Sequence, residues 1–195
     1  PILRHDGTNY YLEFDGVDDS LATAAIDFSA TQLLSFFAGI RKIGSSAASG
    51  VLTELTASSA NLGSFSIFAP NSGTESYLFI ANGGAGTGYI ATTYTAPITN
   101  VIACNYNLAA NSNELKVIPR INGATPGTLT VAGGVPAGGA QKFANSALYI
   151  GRRGGTTLPL NGRIYSLIVL GRTATALEIA AAESYAAGKS GVVLP

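Results

Sequence analysis

The chain has 195 residues, 47% of them hydrophobic, and its 11 basic and 11 acidic side chains cancel. That length suits one large all-β domain with a sizeable core, and zero net charge excludes the basic footprint of a duplex nucleic-acid binder. Only 11% of residues are charged, against roughly a quarter in an average soluble domain. Ser, Thr, Asn, Gly and Ala must therefore cover the surface. Such a surface suits packing against copies of the same chain, contact with neutral ligands such as sugars, or simply a robust secreted or virion domain.

Pro1–His5 reads as the end of a linker, so residues 1–8 are assigned to an extension and 9–195 to one domain. With no Met and no signal peptide, the sequence reads as a processed chain or a piece of a longer protein. Strand signals then dominate: Tyr10–Phe14, Ser20–Thr23, Ser35–Lys42, Gly50–Leu55, Ser64–Ala69, Ser76–Ala81, Gly88–Thr93, Thr99–Tyr106, Leu115–Ile121, Ala147–Gly151 and Arg163–Leu170. Each is short, rich in β-branched or aromatic residues, and bounded by Gly, Asn, Ser or Pro. Phe65, Ile67 and Ala69 alternate with Ser64, Ser66 and Phe68, which places the first set on one face. Thr175-Ala176-Leu177-Glu178 is a capping box that opens a helix. Gly188 is its expected stop, and Leu177 and Tyr185 are expected to pack on the strands. Residues 45–50, 82–88 and 123–141 read as loops, the last as a flexible surface loop or an ordered arm in an oligomer. No internal repeat and no domain boundary is seen. The pattern predicts an all-β, two-sheet antiparallel sandwich with one short C-terminal helix.

Leu12-Glu13-Phe14-Asp15-Gly16-Val17-Asp18-Asp19 resembles the opening strand and turn of the concanavalin A-like lectin/glucanase superfamily, in its laminin G-like branch. Leu148–Arg152, Leu160–Leu170 and Leu177-Glu178-Ile179 are similar to its closing strands and terminal helix, and Leu115–Gly123 to a middle strand ending in an Asn-Gly hairpin. The tryptophans common in the branch are missing, and Thr99-Asn100-Val101-Ile102 stands near where a Trp-His pair is usual. The resemblance implies a jelly roll. It leaves function open, because the fold hosts lectins, glycosidases, adhesive modules and virion parts. In its Gly/Ala/Ser-rich, Met-free style the chain also resembles domains of tailed-phage structural proteins.

The chemistry is sparse. Two facing carboxylates are needed for glycosidase work, yet Glu13, Glu54, Glu75, Glu114, Glu178 and Glu183 are isolated in sequence. His5 and Cys104 are the only residues of their types, too few for a zinc site, and Cys104 reads as a buried small hydrophobe. No apolar run is long enough to span a membrane. Asp15, Asp18 and Asp19 offer oxygens that calcium can use, with a turn held by Asp–backbone bonds as the plainer reading. Sugar binding needs an aromatic platform and planar polar groups; the candidates are Tyr77, Asn82, Tyr89, Tyr94, Asn105, Arg152 and Arg153. The sequence thus leads to a non-enzymatic structural or adhesive domain of a phage virion protein (tail fibre, tail tip or capsid surface). It would attach through other virion proteins or a host-surface glycan, as a homo-oligomer such as a trimer. The alternative is a carbohydrate-binding module of a secreted bacterial protein.

Overall fold

A computed structural model describes residues 1–45, 47–84, 86–134 and 139–195. The strands are β1 (Ile2–His5), β2 (Tyr10–Asp15), β3 (Leu21–Ala22), β4 (Ile26–Asp27), β5 (Leu33–Gly44), β6 (Val51–Leu55), β7 (Phe65–Phe68), β8 (Tyr77–Asn82), β9 (Gly86–Ala91) and β10 (Ile98–Asn107). A single helical turn, α1 (Asn113–Lys116), is followed by β11 (Val117–Ile121), β12 (Leu129–Gly133), β13 (Asn145–Ser146), β14 (Leu148–Ile150), β15 (Asn161–Leu170) and α2 (Ala176–Ser190). Six strands form one sheet in the order β1-β2-β15-β5-β10-β11; seven form the other, β12-β9-β8-β7-β6-β14-β3; β4 and β13 pair separately. Every pairing is antiparallel. The molecule is a jelly-roll sandwich.

The opening and closing segments lie side by side, with Phe14 opposite Gly162 and Leu12 opposite Ile164. The core between the sheets holds Phe14, Phe36, Phe65, Phe79, Tyr106 and Phe143, all buried. Phe65 meets Tyr106 at 5.4 Å and Phe143 edge-on at 6.3 Å. Each such ring contributes on the order of 2–3 kcal/mol by leaving water. Phe65, Ile67 and Ala69 face inward as their alternation predicts, and Phe68 packs on the outer face with Val51 and Leu78. Cys104 is buried in the core, where loss of hydration pushes its thiol pKa far up.

Five differences from the sequence reading have physical causes. Ile2–His5 is an edge strand pairing with β2 rather than linker. The 123–141 stretch supplies β12, which adds to β9; its residues 135–138, like Ser46 and Ala85 of the other two loops, lie outside the described residues. Leu115–Ile121 begins as the turn α1 and becomes a strand only at Val117. The capping box forms as expected, Thr175 Oγ1 accepting from the Glu178 N–H and Glu178 from the Thr175 N–H. The helix, however, passes Gly188 and ends at Gly191, whose φ is 71°. Leu177 and Tyr185 point to solvent, 84% and 52% exposed. The small side of α2 packs instead, through Ala186, Ala187 and Ser190. It approaches so closely that a Cβ on Gly39 of β5 would stand 2.7 Å from the Ala186 carbonyl oxygen.

Candidate functional site

The pairing of β2 with β15 stops at Leu12 and Ile164. Tyr165 is the extra residue of a bulge there, since Ile164 faces Ile40 of β5 and Ser166 faces Gly39. A bulge ends a ladder and re-aims a side chain. Beyond it the sheet splits, and Tyr10 and Tyr11 pair only with β1. The split is a wedge-shaped cavity of about 240 Å³. Its walls are Tyr10, Tyr11 and Tyr165, with Leu3, Leu12, Ile164, Ser166 and Leu167 from the same sheet, and Leu21 and Ile150 from the facing one. Tyr10 is 67% and Leu3 66% exposed. These are large apolar side chains left open to water around a concavity, the usual character of a small-molecule site.

Beside the wedge the polar groups are ordered and balanced. The Tyr11 and Tyr165 rings lie 5.4 Å apart. The Arg163 guanidinium stands 4.4 Å over the Tyr11 ring, with its Nε 3.3 Å from Glu13 Oε2. Arg4 Nε donates to Glu13 Oε1 at 3.2 Å. Burial works against the Arg163 charge, but contact with the Tyr165 hydroxyl and the fields of Tyr11, Tyr165 and Glu13 hold its pKa above the ordinary guanidinium range. Asp6 also lies in the field of Arg163. Two guanidiniums therefore share the Glu13 carboxylate, and the His5 ring lies tilted against Tyr10 at 4.4 Å. The cavity itself offers aromatic and aliphatic faces, with no charged side chain among the described residues lining it.

The sequence-derived candidates are dispersed. Tyr77 is wholly buried, its hydroxyl donating to Asn100 Oδ1 at 2.8 Å. Tyr94 lies tilted against it at 5.5 Å, and the Lys42 ammonium sits 4.3 Å over the Tyr77 ring. Asn82 is buried and donates to the Ser59 and Ala60 carbonyls. Tyr89 is buried in the core, where loss of hydration and the nearby Glu114 carboxylate raise its pKa. These side chains make the fold, and a ligand does not reach Tyr77 or Asn82. Arg153 clamps the fully buried Glu54 through Nε and Nη2, bonds Ser59, and covers the Phe68 ring at 5.2 Å. Arg152 donates to the Asp18 carbonyl. Asn105 opens onto a separate cleft, and Tyr89 lines another with Glu114 and Leu129.

The acidic turn brings oxygens of Asp15, Asp18 and Asp19 within 4.8 Å of one another. Such a donor set fits a hard cation. Two of the carboxylates already hold the turn: Asp15 Oδ1 accepts from the Val17 and Asp18 N–H groups, and Asp19 Oδ2 from the Asp15 N–H. The Val17 bond is the main cause of the lowered Asp15 pKa. Glu13, Glu54, Glu178 and Glu183 are each tied to an arginine.

The wedge tyrosines were missed because alternation alone predicts only that one of Tyr10 and Tyr11 faces out. The bulge at Tyr165 leaves no mark in the sequence.

No protein-family model matches the chain, and no curated protein is similar to it in sequence. Solved structures are similar in fold. A native heptameric SAP-like pentraxin from Limulus polyphemus superposes with a TM-score of 0.57 at 11% identity, covering 97% of this chain and 84% of that one. A botulinum neurotoxin type C, whose uptake into cells is described as dependent upon interaction with two ganglioside molecules, gives 0.62 at 11% identity; this chain spans 45% of its length. The CBM40 of a Ruminococcus gnavus IT-sialidase, bound to alpha2,3 sialyllactose, gives 0.54 at 16% identity, covering 88% of this chain and 97% of that one. At these identities the likeness is one of fold: the lectin-like jelly roll.

Proposed function

We propose that the chain is a non-enzymatic, extracellular carbohydrate-binding domain whose ligand docks in the tyrosine wedge. The observation that carries this reading is the convergence of Tyr10, Tyr11 and Tyr165 on one solvent-open cavity. A pyranose ring presents an apolar face that stacks on such rings, and its hydroxyls can bond the tyrosine and Ser166 hydroxyls of the residues lining the same cavity. No charged side chain is among the described residues lining the cavity, which favours a neutral glycan over a charged one. Support also comes from the fold neighbours, two of which are described with sialyllactose or gangliosides. The virion reading has no counterpart among the neighbours named above, so the secreted-module alternative is preferred. No helix among the described residues is long and apolar enough to cross a membrane.

The test is a glycan array read with the wild type, Tyr10→Ala and Tyr165→Ala. The proposal expects saturable binding to a set of neutral glycans, weakened at least tenfold by either substitution, which corresponds to about 1.4 kcal/mol. An empty array, or hits indifferent to both changes, would refute it.

A further inference from the structure

A second cavity, of about 330 Å³, opens on the outer face of the six-stranded sheet, between the entry to α2 and β11. Two amides one alternation apart on β10, Asn105 and Asn107, line it; residues so spaced stand roughly 7 Å apart on one face. Both amides are fixed from behind. Asn105 Oδ1 accepts the Ser35 hydroxyl at 2.6 Å, closer than the Arg172 carbonyl, which lies 3.0 Å from the same Ser35 Oγ. Asn107 Oδ1 accepts the Ala109 N–H at 3.0 Å. Each Oδ1 thus holds an internal donor, which leaves the amide N–H groups as the donor capacity these two cleft-lining residues can offer a ligand. The other walls are aliphatic: Ala109, Ala110, Leu115 and Ile118, the last two 57% and 42% exposed. Thr173 supplies a hydroxyl, and no charged side chain is among the described residues lining the cleft.

Oriented N–H donors, no cation and an aliphatic wall define the complement. A carboxylate would lose its hydration without gaining a counter-charge. A neutral carbonyl carrying a methyl group loses little and satisfies both surfaces. We propose that this cleft is a second ligand site, separate from the tyrosine wedge, and that it takes an acetamido group such as that of an N-acetylated sugar. The carbonyl oxygen accepts from Asn105 and Asn107 while the methyl packs on Leu115 and Ile118.

The probe is free N-acetylglucosamine, with glucose as its control, read by saturation-transfer NMR. The proposal expects strongest saturation at the acetyl methyl and none for glucose in this cleft. Asn105→Asp and Asn107→Asp keep the internal acceptors, so the Ser35 and Ala109 bonds survive, and remove the donors; together they should abolish the methyl signal. Tyr10→Ala should leave it intact, which separates this site from the wedge. Absence of the signal in the wild type, or its persistence in the double Asp variant, would overturn the proposal. A signal lost with Tyr10→Ala would also overturn it by assigning the acetamido group to the wedge.

Discussion

Lys42 gives the sharpest prediction. Its side chain is completely buried. The ammonium donates to the Glu75 carbonyl at 3.0 Å and rests on the Tyr77 ring, but loss of hydration dominates and pulls its pKa from 10.5 down to about 8, the Glu75 charge only partly opposing. A base with a depressed folded pKa penalises the fold while it is charged. The unfolded chain then holds more protons between about pH 8 and 10.5, so stability rises with pH in that window. Across the whole window the rise is roughly 3 kcal/mol, and between about pH 7 and 9 it is about 1.3 kcal/mol. Buried Cys104, Tyr77 and Tyr106, whose pKa values are raised by burial, act in the opposite sense once their unfolded forms ionise from about pH 9 upward. The comparison with Lys42→Met cancels those groups. Urea unfolding of both proteins at several pH values should show the stability difference, wild type minus variant, climbing by about 1.3 kcal/mol between about pH 7 and 9. A difference that stays flat would show that Lys42 titrates normally and refute the burial argument.

Arg153→Met strands the buried Glu54 carboxylate without its counter-ion and should cost about 3–5 kcal/mol, with most recovered by adding Glu54→Leu, read by chemical denaturation. Gly151→Ala places a methyl into the Phe14 ring at a φ of 78° and should cost at least about 3 kcal/mol by strain and overpacking. Lys116→Met should raise Tm, because the buried Lys116 Nζ has no hydrogen-bond partner among the described residues and burial lowers its pKa. We expect Tm to be the same in calcium and in chelator, since the Asp15–Asp19 turn is held by its own backbone bonds; a rise of several degrees with calcium would show that an ion occupies it.

Much of the architecture was legible. Alternation in Ser64–Ala69 placed Phe65 and Ile67 inward, and the Thr175–Glu178 capping box opened α2 where expected. The segments that resemble the family's opening and closing strands lie side by side, Phe14 opposite Gly162. What failed depended on partners distant in sequence. Ile2–His5 is a strand only because β2 offers it an edge. The packing side of α2 was misjudged because size normally marks a buried helix face, and here a small-residue face fits against Gly39. The site was the least legible part. Tyr77 and Tyr89 carry the same side chain as Tyr10 and Tyr165, and only the end of the β2–β15 ladder separates core rings from open ones.

The most direct test is an NMR titration of the labelled wild type with the strongest neutral glycan from the array. Amide shifts should concentrate at Leu3, Tyr10–Leu12 and Tyr165–Leu167, which line the wedge. Shifts gathered instead on the outer face of the seven-stranded sheet, around Arg153, Ile80 and Ile90, would contradict it.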